Sequence, residues 1–343
     1  MRYLSIIIMF LISIQLISCS KEDNISNELT GEVIRIPVPS GFPPPQMFLE
    51  DPLTKEGVNL GKKLFYDGRL SKDGSVSCAS CHQQVAVFGT YDHDLSHGIY
   101  NQHSTRNAPP LFNLAWYSSF GWDGRHKRIE DIAEAHIMST VDMAGNFSVI
   151  SERVKKDQMY PGMFRAAFGS ADVNKERILK ALQQFTGSIV SFQTRYDSVH
   201  LSLVAFTPKE ELGYQLFKKH CNSCHQEPLF TDNSFRNNGL PVTNLNDIGR
   251  AYVTGLYVDR YKFKVPSLRN LFLTFPFMHD GRFIGFSQIY DHYSRPGSEQ
   301  NNLTDNLLGG GIALSQAERD AITAFLRTLT DFDFANRAEY GGR

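Results

Sequence analysis

The pattern Cys-x-x-Cys-His occurs twice in this 343-residue chain, as Cys78-Ala-Ser-Cys81-His82 and as Cys221-Asn-Ser-Cys224-His225. Two cysteines at this spacing with a histidine directly behind them form the attachment site of a c-type haem. The thiols add to the porphyrin vinyl groups, and the imidazole binds iron from one side. A Cys-x-x-Cys is also half of a zinc site or a thioredoxin-like pair, but zinc wants four ligands and a redox pair makes no use of the histidine. Two complete copies therefore predict two covalently bound haem c groups, with His82 and His225 as iron ligands. The chain has five cysteines, and these haems occupy all but Cys19, so no pair is left for a disulfide.

Arg2 supplies a positive start and Leu4 to Ile17 is an apolar stretch short for a bilayer span, which reads as a signal peptide. Leu16-Ile17-Ser18-Cys19 looks like a lipobox, so residues 1–19 are expected to be a lipoprotein signal, with lipid on Cys19. The competing readings are an ordinary membrane anchor or a stray cysteine. Covalent haem loading in bacteria takes place outside the cytoplasm, and the expected location is the periplasm or cell surface. Residues 20–46 are polar and then rich in proline, including Pro43-Pro44-Pro45, as in a tether. A net charge of −1 without any run of Lys or Arg offers nothing to nucleic acid.

The two halves repeat more than the haem motif. Gly61-Lys-Lys-Leu64-Phe65 precedes the first copy and Gly213-Tyr-Gln-Leu216-Phe217 the second. Phe217 lies four residues before Cys221 and Phe65 thirteen before Cys78, so the first half carries an inserted loop. Downstream, Pro109-Pro-Leu-Phe-Asn113 matches Pro266-Ser-Leu-Arg-Asn270, and nine residues past each asparagine stands Trp122-Asp-Gly-Arg125 or His279-Asp-Gly-Arg282. The identical separation indicates one ancestral cytochrome c domain doubled. The expected fold is mainly α, with two cytochrome c-like domains over residues 47–195 and 196–335. Helices are expected at Ile129 to Met138 and Phe283 to Tyr293, placing His136 and Tyr293 eleven residues after their Asp-Gly-Arg turns. From there either side chain reaches toward its own iron as a sixth ligand. Ile178, Leu182, Phe185 and Ile189 mark a helix over Lys175 to Phe192 that is expected to pack one domain on the other. Capping boxes start helices at Thr207 and Ser315.

These residues resemble the bacterial dihaem cytochrome c peroxidases and their MauG relatives over about residues 40 to 335. The likeness rests on both haem motifs, Arg106-Asn107-Ala-Pro109, Trp122-Asp-Gly-Arg125, and Val265 to Asn270 through Phe277-Met-His-Asp-Gly281. It implies an N-terminal haem that reacts with hydrogen peroxide and a C-terminal haem that relays electrons from a small cytochrome c or copper protein. It also implies Trp122 between the haems, a homodimer, and calcium held by the Asn107 side chain and the main-chain oxygens of Thr274 and Pro276. The family's peroxidases have methionine as the sixth ligand of the second haem. Tyr293 stands there, as in MauG-like members, with Met278 as the competing ligand and a buried aromatic as the third reading of Tyr293. A tyrosinate favours ferric iron and lowers the potential.

On the distal side of the first haem, the family's displaceable histidine falls on Ile99, with His97 two residues earlier. Its glutamine, proline and glutamate fall on Ile132, His136 and Asp142. Peroxide cleavage requires a proton acceptor that becomes a donor. Asp142 is one methylene shorter than the family's glutamate, and His136 is positioned to compensate, to bind iron, or to sit on the surface. His93, His97 and His103 read as solvated loop residues. Arg106 and Arg125 pair with haem propionates or with nearby acids such as Asp123. Three functions follow from the residues: a peroxidase, a MauG-like oxidase of a protein side chain, or an electron-transfer cytochrome with His136 on iron.

Overall fold

The computed structural model describes residues 27–45, 47–49, 51–91, 93–295, 297 and 303–342. The signal segment, the lipobox with Cys19, and the first residues of the tether lie outside these. Among the described residues no helix is long and apolar enough to cross a membrane.

The described chain is mainly α, as expected. Its helices are α1 (Lys55–Phe65), α2 (Cys78–Cys81), α3 (Ile129–Met138), α4 (Phe147–Lys155), α5 (Tyr160–Phe168), α6 (Lys175–Ser188), α7 (Arg195–His200), α8 (Pro208–His220), α9 (Ala251–Thr254), α10 (Phe286–Ser294) and α11 (Gln316–Arg327). The short strands β1 (Phe235–Arg236) and β2 (Phe263–Lys264) pair antiparallel, Phe235 opposite Lys264.

The duplication is visible in how the long helices cross. A side-chain carbon added at Gly61 of α1 would lie 1.8 Å from the Ala181 carbonyl oxygen of α6, and one added at Gly213 of α8 would lie 1.9 Å from that of Ala321 in α11. The glycine of each Gly-x-x-Leu-Phe motif thus lets two backbones touch. Around each crossing an aromatic core forms: Phe65, Phe88 and Phe185 in the first half, Phe217, Phe230 and Phe325 in the second. The inserted loop of the first half, residues 66–77, is tied down where Arg69 pairs with Asp67 and Asp157 and where Arg153 donates to the Ser71 carbonyl. The Thr207 and Ser315 capping boxes form as read.

Two helix expectations are corrected. The helix from Lys175 stops at Ser188, because the Ile189 carbonyl turns to accept the Asn113 N–H and Ser191 is held by the Asn113 side-chain amide. That helix packs on α1 inside its own half, so its apolar face is core of the first domain and not a domain interface. The second distal helix starts at Phe286, three residues late, since Phe283 pairs with Phe277 and the Gln288 side chain accepts from the Ile284 and Gly285 N–H groups.

The halves meet through their Asp-Gly-Arg turns, reciprocally. Gly124 lies so close to Phe235 of the second half that an added carbon would sit 2.2 Å from that ring. Gly281 lies against Asp94 of the first half, with 2.4 Å to its carbonyl oxygen. Both glycines have positive φ, at 65° and 70°, which a side chain would resist.

Candidate functional site

Cys78 and Cys81 face the same side of α2, and Cys221 caps α8 with Cys224 in the following turn. All four are half-buried, and burial pushes the Cys78 and Cys221 thiols up to about 12. His82 Nδ1 lies 2.8 Å from the Phe88 carbonyl, and the Pro109 carbonyl is a second acceptor. His225 Nδ1 lies 3.2 Å from the Phe230 carbonyl and 3.1 Å from that of Pro266. Carbonyl partners place the proton on Nδ1 of both rings and leave each Nε2 lone pair without a described protein partner. This explains the matched prolines Pro109 and Pro266: each supplies an oxygen to its histidine.

Near enough to His82 for their charges to act on it are His136 and Asp142. His136 is on the last turns of α3, and Asp142 follows in the turn after it, with its N–H held by the Ser139 hydroxyl. His136 Nδ1 and the Asp142 carboxylate are 2.8 Å apart. Burial pushes the Asp142 carboxyl up, but the bonds to His136 and Ser139 outweigh it and hold the group below its ordinary value. The charges of both residues are felt at His82. Ile99 is fully buried, with its N–H on the Asp142 carbonyl, and Gly98 lets that loop pass within 2.0 Å (to an added carbon) of the Val141 carbonyl oxygen. His97 is not turned inward. The loop histidines, read as solvated, have His93 and His103 exposed and pack edge to face, with ring centres 4.6 Å apart for His93–His97 and 4.2 Å for His97–His103.

In the second half Tyr293 and Met278 come to the same place. Both reach Asn238: its amide nitrogen is 3.5 Å from the Met278 sulfur, and its side chain bonds the Tyr293 phenol. Burial pushes that phenol up to about 12, the Asn238 bond works against the rise, and Cys221 and Cys224 are near enough to add to it. The neighbouring His292 donates to the Asn238 carbonyl at 2.9 Å.

Trp122 lies at the junction of the halves. Its indole N–H donates to the Asn107 carbonyl at 2.8 Å, the Asn107 N–H donates to the His279 carbonyl at 2.8 Å, and the Trp122 carbonyl accepts the Lys264 N–H at 2.7 Å. Asn107 also binds the Asp94 carbonyl through its side-chain amide at 2.9 Å. Phe275, between Thr274 and Pro276, packs on Tyr91 at 6.0 Å, so the three residues read for calcium share this junction. Arg106 pairs with Asp247 at 2.6 Å and Asp123 at 2.7 Å, and Arg125 with Asp123.

The sequence model of the family described as di-haem cytochrome c peroxidase matches residues 55–202. The methylamine utilization protein MauG of Methylorubrum extorquens is 35% identical over 314 residues, covering 90% of this chain and 86% of that protein. This chain belongs to the dihaem cytochrome c peroxidase and MauG family. A cytochrome c551 peroxidase of Nitrosomonas europaea is 34% identical over 284 residues, 81% of each protein. The crystal structure of a MauG-like protein associated with microbial copper homeostasis superposes with a TM-score of 0.85 at 28% identity, over 90% of this chain and 99% of that one.

Membership makes the protein a dihaem oxidoreductase with haem c as cofactor. The residues fit that group, since two neutral histidines present bare Nε2 atoms beside paired thiols. Sequence reasoning missed Asn238, which links both candidate sixth ligands, and Asp247, which completes the Arg106 pairs. Both lie in the 237–262 loop between β1 and β2, outside the repeated motifs. It also missed Lys264, a buried lysine whose ammonium binds the Ser119 carbonyl amid the Tyr117, Phe120 and Phe235 rings. Burial pushes it down to about 7, and Lys127 and Arg250 add to that.

Proposed function

We propose that the protein reduces hydrogen peroxide at the His82 site, with electrons entering through the His225 site from a small cytochrome c or copper protein. The observation that carries this reading is the His136–Asp142 pair, whose charges reach His82. Haem, attached in this reading through Cys78, Cys81, Cys221 and Cys224, supplies at each site an iron that exchanges electrons and, at the first, a face for peroxide. Asp142 accepts the His136 Nδ1–H and orients the ring, leaving Nε2 to take the proton from the oxygen approaching iron. The same nitrogen returns that proton to the departing oxygen, so that two electrons and two protons yield two waters. Ile99, which cannot bind metal, stands where family peroxidases carry a displaceable histidine, and this supports a first site open at rest. Trp122, bonded to both halves, is the residue placed to pass electrons between them. Asn107, Thr274 and Pro276 would bind calcium beside it.

A second reading, oxidation of a protein side chain as in MauG, is favoured by Tyr293. A phenolate on the second iron disfavours its ferrous form and so favours storage of oxidising equivalents over rapid relay. We also place the protein outside the cytoplasm on a Cys19 lipid, a reading the lipobox supports.

The test is the ferric EPR spectrum of the two-haem protein together with peroxide-driven oxidation of a reduced cytochrome c. A high-spin first haem and turnover support the peroxidase. Two low-spin haems and no turnover with any donor would leave an electron-transfer cytochrome with His136 on iron.

A further inference from the structure

The segments leaving the last helix of each half cross over. Residues 189–200 lead from α6 of the first half into the second, and Tyr196 is buried in the second core. Residues 328–340 follow α11 of the second half, yet Phe334 is buried in the first core and Tyr340 packs against it. The crossing is pinned by the matched asparagines Asn113 and Asn270, both left-handed at φ 55° and 60°. Asn113 holds Ile189 and Ser191; Asn270 takes the Leu329 carbonyl and the Asp331 N–H, and donates to the Ser191 hydroxyl at 2.9 Å. Arg337 ties one strap to the other through Gln193 at 2.7 Å, and its pair with Asp331 at 2.5 Å braces it within its own strap.

Each strap lands on the loop behind the other half's haem motif, at corresponding positions. Two residues past His82, Gln84 donates to the Phe334 and Arg337 carbonyls at 3.4 and 2.8 Å. Two residues past His225, Glu227 accepts from the Tyr196 hydroxyl at 2.6 Å. Phe88, whose carbonyl holds His82, lies under the Phe334 and Tyr340 rings at 6.2 and 6.3 Å. Phe230, whose carbonyl holds His225, lies under the Tyr196 ring at 4.8 Å. Both phenylalanines are left-handed, at φ 61° and 56°, and so is Val87, at 52°. For a β-branched or bulky residue this is a strained conformation, which persists only where packing over-determines it. At Phe88 part of that packing comes from the opposite domain.

We infer that the crossed straps position the two proximal histidines, so that Gln84, Phe334 and Tyr340 set the strength of the His82 Nδ1–H bond and Tyr196 sets that of His225. The hydrogen bond on Nδ1 governs how strongly the imidazole donates to iron. A strap that slackens weakens that bond and raises the potential of the haem it covers; over His82 that strap is the chain's C-terminal end, arriving from the other half. The inference rests on the reading of His82 and His225 as iron ligands.

The test uses the full-length two-haem protein and two mild variants. Gln84→Leu removes the staple under the C-terminal strap, and Tyr196→Phe removes the hydroxyl that binds Glu227. The readouts are the midpoint potential and ferric EPR signal of each haem, with the untouched haem as internal control for folding. The expected result is an upward shift confined to the first haem in Gln84→Leu and to the second in Tyr196→Phe. Unchanged signals in both variants, or equal shifts at both haems, would overturn the inference. A wild-type mass short of two porphyrins per chain would fail the functional reading and this inference with it.

Discussion

His136 and Asp142 are separated by six positions and brought to 2.8 Å by the end of α3, whose chain turns back through Ser139. Neither residue type matches what the family resemblance led one to look for, a proline and a glutamate, yet together they supply a carboxylate-oriented imidazole. We expect His136→Ala to slow the reaction with peroxide by roughly 10²–10⁴-fold, the usual worth of a positioned proton shuttle, with little loss of stability because the ring is exposed. Stopped-flow mixing checks this, and an unchanged rate would remove His136 from the chemistry. At the second site we expect Tyr293→Met to raise the potential of that haem, by on the order of 100 mV or more within the roughly 0.8 V that axial ligands span. A potential that stays put would point to Met278 as the ligand already in place. The two Cys-x-x-Cys-His motifs were legible because their pattern is local in sequence. Asn238 was not, since it arrives from a loop more than forty residues before Tyr293 and carries no motif.

At the scale of elements, the glycine crossings do what no side chain allows. An alanine at position 61 or 213 would drive its methyl into a backbone carbonyl, at 1.8 or 1.9 Å, and backbone cannot step aside as a flexible side chain does. We expect Gly61→Ala and Gly213→Ala each to cost about 3 kcal/mol or more, read by denaturant unfolding of the haem-loaded protein. A loss well under 1 kcal/mol would mean the helices separate easily and the crossing carries little. Where elements end was harder to read. The apolar spacing through Ile189 mimics a longer helix, but the asparagine that stops it lies seventy-six residues earlier in the chain.

At the scale of the whole molecule, the junction is held by charge as well as by shape. Arg106 binds Asp123 of its own half and Asp247 of the other. Burial pushes both carboxyls up, but the arginine bonds outweigh it and hold them below the ordinary 3.8. Carboxyls depressed in the native state contribute fully above the unfolded value and lose that contribution as pH falls through the native one. Loosening of the junction is therefore expected only below about pH 4, with Asp247→Asn weaker at neutral pH and less sensitive to acid. Soret circular dichroism across pH 5 to 2 checks it, and an onset already near pH 6 would contradict it. Lys264 works in the opposite range. Its native value near 7 against an ordinary 10.5 means that the unfolded chain binds more protons between them, so stability rises with pH across that window. Lys264→Met should flatten that slope in denaturant titrations at pH 7, 8 and 9. An identical slope in the variant would show the ammonium to be well solvated.

Residue order alone was enough for a duplicated chain with one Cys-x-x-Cys-His motif in each half and for its helical class, because motif and duplication are written in spacing that survives without knowledge of contacts. Which side chains face one another was left to packing: the His136–Asp142 bond, the shared Asn238, the Arg106 pairs and the crossing of the straps all join segments whose separation along the chain carries no periodic signal. Such contacts exist only once the backbone has closed around its cores, since a hydrogen bond a few ångströms long is decided by where two helices end and not by how many residues lie between them.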